Sequence, residues 1–194
     1  MRFPSLRRTT IFSCLLGYIV LSMYYGPALI IESIGFNTYV SSFAIQLSEL
    51  IGYIPCYYFI DKVKRRSTGF WLFIATVVSS FILSVIKKPE GCEFCFESII
   101  EVIIIFFFRF AIATEFILFL VYIVELFPTR VVGIGVSAVN IAGTIASTLS
   151  PIILGALTRI DFNLMIFFFI LGVVGSALTL LLEETHNKPI KADI

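Results

Sequence analysis

Three ionisable residues stand inside stretches that otherwise read as hydrocarbon: Glu49, Arg109 and Glu115. A charge near the centre of a bilayer costs at least ~2.5–3.5 kcal/mol, so such groups face a cavity or a partner rather than lipid. Glu49 falls near the middle of the apolar window 38–60 and Arg109 near the middle of 98–124. At a rise of about 1.5 Å per residue the two share one membrane depth and could meet across a polar interior. Glu115 lies six residues beyond Arg109, about 9 Å further along and about 120° around the helix, so it cannot share Arg109's face. Two chemistries are open. In one, Glu49 and Arg109 line a cavity, contact a charged solute or move protons. In the other they form a pair that only ties two helices together, and a buried pair says little about stability.

The elements that must position these groups are membrane helices. Of the 194 residues, 59% are hydrophobic and 14% charged, and the mean hydropathy is +1.02, far from the composition of a soluble domain. Six windows are long enough to span the hydrocarbon: 11–31, 38–60, 69–86, 98–124, 131–157 and 162–182. The sizeable connections are 61–68 and 87–97, and no soluble domain fits between the spans. A transmembrane barrel would alternate polar with apolar residues, and "IIEVIIIFFFRFAIATEFILFLVYIV" does not. The expected architecture is an all-α membrane protein with residues 1–194 in a single six-helix bundle, since a lipid-facing helix satisfies its own backbone. Gly133, Gly135, Ser137, Ala138, Ala142, Gly143, Ala146, Ser147 and Gly155 keep window 131–157 thin. Small residues let membrane helices approach closely; a helix that slides against its neighbours needs the same.

Charge placement sets the expected orientation. With six spans, Arg2, Arg7, Arg8, Lys62, Lys64, Arg65, Arg66, Arg130, Lys188 and Lys191 share one face, and Lys87, Lys88 and Arg159 the other. The positive-inside rule puts both termini in the cytoplasm. The first 28 residues have the basic start and apolar core of a secretory signal. The apolar run to Ile31 exceeds a signal core, so a retained span is expected. A net charge of +1 argues against nucleic acid as a partner. Cys92 and Cys95 in "GCEFC" lack a second metal-ligand pair, His186 being on the opposite face, so a disulfide or free thiols are expected and no metal site. No nucleophile–base pair and no phosphate-binding glycine loop is present, so neither an enzyme nor a cofactor is expected.

The cytoplasmic loops gather a second set of charges in "FIDKVKRRSTG", "VELFPTRVVG" and "LLEETHNKP". Acidic residues add nothing to the positive-inside rule. Asp61, Glu125 and Glu184 beside Arg65, Arg66 and Arg130 therefore read as an ion-pair network, closing the inner helix ends in one conformation and releasing them in another. Between the fourth and fifth windows, Pro128 ends one helix and Thr129 is placed to cap the next.

Together these loops resemble the C-terminal half of a major facilitator superfamily transporter of the organic cation/anion type, solute carrier family 22 and its relatives. The resemblance lies in "YYG" at Tyr24–Gly26, in "ELIGYIPCYYFIDKVKRR" with Glu49 and Asp61, in Arg109 sixteen positions before the glutamate of "ELFPT", and in "EETHNKP". It covers nearly the whole chain. Three positions depart from the family's pattern: Val132 stands where an arginine is usual, Lys64 replaces a loop glycine, and Thr144 holds the place that tends to track substrate charge. Substrate charge is therefore not carried over.

The resemblance implies alternating-access transport of a small organic solute in the plasma membrane, with the solute held at mid-depth between two six-helix bundles. It makes Glu49 and Arg109 solute contacts, with Glu115, Asn140, Tyr24 and Tyr25 beside them, and Asp61, Arg65, Arg66, Glu125, Arg130 and Glu184 the cytoplasmic gate. Aromatic rings hold cations by their π faces, and tyrosines also anchor helices at an interface. One bundle cannot enclose a solute, so the expected partners, besides lipid, are a missing N-terminal half, a full-length relative or a second copy. A fragment of a longer carrier is the expected state. The alternative is a truncated, non-transporting membrane subunit that pairs with a full-length relative.

Overall fold

The first helix stops at a glycine and a proline, and the way it stops shapes the centre of the molecule. In the computed structural model, which describes residues 4–29, 38–59, 62, 64–86 and 96–185, α1 spans Pro4–Tyr25 and a 3₁₀ turn at Gly26–Leu29 follows. Pro27 has no N–H to offer the preceding turn. The helix thus ends several residues before the limit of window 11–31. The remaining helices are α2 Thr38–Phe59, α3 Arg65–Val85, α4 Phe96–Leu126, α5 Val132–Arg159 and α6 Leu164–Leu181. Among the described residues there is no strand, and the fold is all-α.

Among the described residues, five of the six helices are long and apolar enough to cross a membrane, and α2 is the exception. Its 22 residues give it the length, but Gln46, Ser48 and Glu49 interrupt its apolar run. Helix α3 begins four residues ahead of window 69–86, so Arg65 and Arg66 are in its first turn rather than in a loop. Thr129 caps nothing: the N-cap of α5 is Val131, without a side-chain bond. A turn in which Val131 N–H donates to Pro128 O (3.0 Å) separates α4 from α5. The α5–α6 connection is tight, with Asp161 at φ 53°, a left-handed conformation that aspartate tolerates. Asn163 caps α6 by accepting from Met165 N–H at 3.0 Å and ties it to α3 by donating to Ser84 O at 3.1 Å.

Contacts along the helices fix their directions. Glu49 meets Arg109 and Cys56 meets Thr114, so α2 and α4 are parallel. Arg65 meets Glu125 while Gly69 meets Glu115, so α3 and α4 are antiparallel. Helices α1, α3 and α5 thus run one way, α2, α4 and α6 the other. Helix α4 is central, packing on α1, α2 and α3; 56% of its apolar window is buried, against 22% for α5.

Helix α5 turns Gly135, Val139, Gly143, Ala146, Ser150 and Leu154 inward, a row with i+3 and i+4 spacing that forms one face of a helix. The row is thin where α1 crosses it. A Cβ on Gly143 would lie 2.6 Å from Leu21, and one on Gly17 2.8 Å from Val139. Bare backbone is what permits that approach. On the other side of the bundle the Phe73 ring of α3 fills the space above Gly175 of α6, where a Cβ would meet it at 2.5 Å. The core between these seams is aliphatic and aromatic, with Leu16, Met23, Phe73, Phe108, Ile123, Phe127, Leu154 and Phe168 almost wholly buried.

Candidate functional site

Near the end of α1, where the last carbonyls run out of helical donors, side chains from two other helices reach its backbone. Ser150 of α5 donates to Ser22 O at 3.1 Å. The Arg109 guanidinium of α4 donates through Nη1 to Tyr24 O. Through Nη2 the same guanidinium donates to Glu49 Oε2 of α2, at 3.1 Å. Sequence depth thus anticipates the meeting of the two charges, and both side chains are shielded, with 10% and 13% of their surface exposed.

Tyrosines complete the cluster. Tyr24 donates its hydroxyl to Glu49 Oε1, and Tyr53 donates to the same oxygen at 2.8 Å. The Arg109 guanidinium carbon lies 4.7 Å from the Tyr24 ring centre, within reach of the ring's π face. Phe116 stacks on Tyr24 at 4.4 Å, and Tyr25 meets it edge-on at 5.1 Å. Arg109 Nε is buried and has no hydrogen-bond partner. The arrangement is an ion pair between the middles of α2 and α4, beside aromatic rings, in which each charge already holds neutral partners. A solute charge competing for either member finds tyrosine hydroxyls or a ring face beside it.

Sequence reasoning missed Tyr53 and Phe116. Tyr53 carries a signal, since it lies four residues after Glu49 and so on the same face of α2. Phe116 has none, standing in a segment where nearly every residue is apolar. The two other residues expected beside the solute, Asn140 and Glu115, differ in exposure. Asn140 lies on the exposed face of α5. Glu115 is buried but faces α3, beside Gly69.

The second charged cluster sits where α3 begins and α4 and α6 end. Arg65, 5% exposed, pairs with Glu125 at 3.0 Å and reaches both carboxylate oxygens through Nε at 3.3 Å. Thr185, beyond α6, donates to Glu125 Oε2 at 2.6 Å, and Tyr122 donates to Glu183 O at 2.5 Å. Arg66 donates to Leu180 O. Of the expected gate residues, Arg65 and Glu125 are thus paired and Arg66 is fastened to α6. Arg130 is exposed and Glu184 half-buried; Asp61, together with Cys92, Cys95 and His186, lies outside the described residues. Thr185 has no signal in the sequence, because it follows the helix and acts through a fold-dependent contact.

A bundle of long apolar helices, holding one ion pair between helix centres and a second at its basic end, is that of an integral, multi-pass membrane protein. The chain belongs to the sugar (and other) transporter family of the major facilitator superfamily, which it matches over residues 8–191. Its relatives include solute carrier family 22 member 15-like of Xenopus laevis, 28% identical over 197 residues, covering 100% of this chain and 39% of that protein. Organic cation/carnitine transporter 3 of Arabidopsis thaliana is 25% identical over 169 residues, covering 87% of this chain and 31% of that protein. The carcinine transporter of Drosophila melanogaster is 31% identical over 151 residues, 73% of this chain and 20% of that protein. The chain therefore spans well under half the length of these relatives.

Proposed function

We propose that this chain is the C-terminal six-helix bundle, residues 1–194, of a plasma-membrane carrier for a small organic ion, working by alternating access with both termini in the cytoplasm. The observation that carries this reading is the Glu49–Arg109 pair, shielded at mid-depth and ringed by Tyr24, Tyr53 and Phe116. A solute bearing one charge displaces one member of the pair and takes over its partner. Tyr25 extends the aromatic wall. The exposed α5 face carrying Asn140 is then free to meet the second bundle, supplied by a missing N-terminal half, a full-length relative or a second copy. At the basic end, Arg65–Glu125 with Thr185, joined by Arg66, Arg130, Glu184 and Asp61, is the gate that parts when the cavity opens inward.

The names of the relatives, organic cation/carnitine and carcinine transporters, agree with a solute of this class. The test is uptake of labelled organic cations and anions by membranes containing this chain, alone and together with the N-terminal six helices of a relative. Uptake that needs the second bundle and is lost in Glu49→Gln and Arg109→Ala supports the proposal. Uptake untouched by both substitutions overturns it. Absence of uptake with co-purification of a full-length relative selects instead the non-transporting subunit.

A further inference from the structure

Glu115 is the buried ionisable group that the solute site leaves unused. It is 5% exposed, and its Oε2 has no hydrogen-bond partner. Gly69 of α3 makes room for it, since a Cβ there would stand 3.3 Å from Oε1 and 3.5 Å from Oε2. Beside the carboxyl opens a cavity of about 10 Å³, lined by Val20, Met23, Phe73, Thr76, Ile112 and Glu115. That is room for about one water molecule and none for an organic solute. The other side-chain oxygen, Thr76 Oγ1, spends its proton on Phe73 O at 2.7 Å. A hard metal ion needs about six oxygen ligands, and among the described residues no cluster of metal-binding side chains exists. An ionised carboxylate is costly in so apolar a place, and the one cation that fits is a proton.

We propose that Glu115 is a proton site: neutral in this conformation, it gives up its proton when the basic end of the bundle opens. Arg65 lies one turn before Gly69 on the buried face of α3, which runs Arg65, Gly69, Phe73, Thr76. Glycine leaves no side chain between the guanidinium and the carboxyl. When the basic end opens, Arg65 exchanges Glu125 for a position over Gly69. The Glu115 O–H bond then breaks, the proton passes to water, and the new carboxylate pairs with Arg65. The other ionisable groups around it are accounted for. From α2 comes Cys56, whose thiol donates to Thr114 O at 3.8 Å. On α4 itself Arg109 is held by Glu49, Glu125 by Arg65, and Tyr122 donates to Glu183 O. Helix α1 presents Val20 and Met23, and α6 presents Thr179, none of which titrates. Acid thus favours the closed end and alkali the open one. Naming the proton as the carrier's coupling ion rests on the proposed transport function; the proton site itself does not.

Infrared spectroscopy of the full chain in lipid vesicles tests this without any solute, because a protonated carboxyl absorbs apart from carboxylates and shifts in heavy water. The wild-type spectrum is expected to show that band at neutral pH and to lose it as the pH rises. Glu115→Gln removes the band and Glu115→Asp moves it, while the amide band of the same spectrum reports whether each variant is helical. Glu125→Gln, which removes the ion pair that holds Arg65 at the closed end, weakens it. A wild-type spectrum indistinguishable from that of helical Glu115→Gln, or a band that Glu115→Asp leaves in place, overturns the proposal. A band that behaves as expected in a chain that carries no solute leaves the proton site standing and removes only its coupling role.

Discussion

Replacing Arg109 by methionine removes the cation from a nearly enclosed carboxylate while keeping most of the side chain's apolar volume. Stranding one member of a buried ion pair costs about 3–5 kcal/mol. Glu49 keeps two donors here, the Tyr24 and Tyr53 hydroxyls, and a hydrogen bond to a charged group is worth about 1.5–3 kcal/mol. The cost of Arg109→Met therefore falls at the lower end, about 3 kcal/mol, or about a hundredfold in the folded-to-unfolded ratio. Glu49→Gln costs less, because the amide oxygen still accepts from the tyrosines and Arg109 keeps Tyr24 O and the ring beneath it. In the double variant no charge is stranded, and the two effects fall short of their sum by about 2 kcal/mol, within the range for residues in contact. The assay is denaturant unfolding of the four proteins in micelles, followed by helical circular dichroism. Additivity within about 0.5 kcal/mol would refute the pair as a coupled element.

The remaining predictions concern the seams and the basic end. Tyr24→Phe keeps the stack on Phe116 and the ring under Arg109 but loses the bond to Glu49, so the same titration should show a loss of about 1.5–3 kcal/mol. Gly175→Ala drives a methyl into the Phe73 ring and lowers stability by about 1–3 kcal/mol. Gly133→Ala meets nothing within 4 Å, so thermal melts should show a neutral effect or a gain of up to about 1 kcal/mol. Glu125→Gln loosens both α3 and the Thr185 segment, so amide exchange should quicken at the end of α4 and at residues 183–185 while the helix centres stay protected.

Much of the centre was legible because depth in a membrane follows from counting residues. Glu49 and Arg109 could be put at one level before any fold was known, and the loop charges flagged the helix ends where Arg65 and Glu125 meet. Rotation about the helix axis was harder to read. In a soluble protein the polar face of a helix marks the outside, but α4 is apolar all round and offers no such stripe. The 120° offset of Glu115 from Arg109 showed that their faces differ, yet not that Glu115 meets Gly69. The small residues of α5 were no better a guide to rotation, since Gly135, Gly143 and Ala146 face inward while Gly133 and Gly155 are exposed. Window 11–31 gave no sign of the change from α1 to a 3₁₀ turn at Gly26, because hydropathy does not register the missing N–H of Pro27. Thr185 was missed because its contact depends on how α6 ends beside α4.

Arg109 does two jobs with one guanidinium: it neutralises a carboxylate on α2, and it terminates α1 by holding the Tyr24 carbonyl. A positive group at the C-terminal end of a helix opposes the partial negative charge there. Any ligand that draws the guanidinium aside takes away that stopper at the same moment. The last turn of α1 must then find water, or another donor, or unwind. Occupancy at mid-depth and the length of the first helix are in this way two readings of a single side-chain position, and whatever shifts one registers in the other.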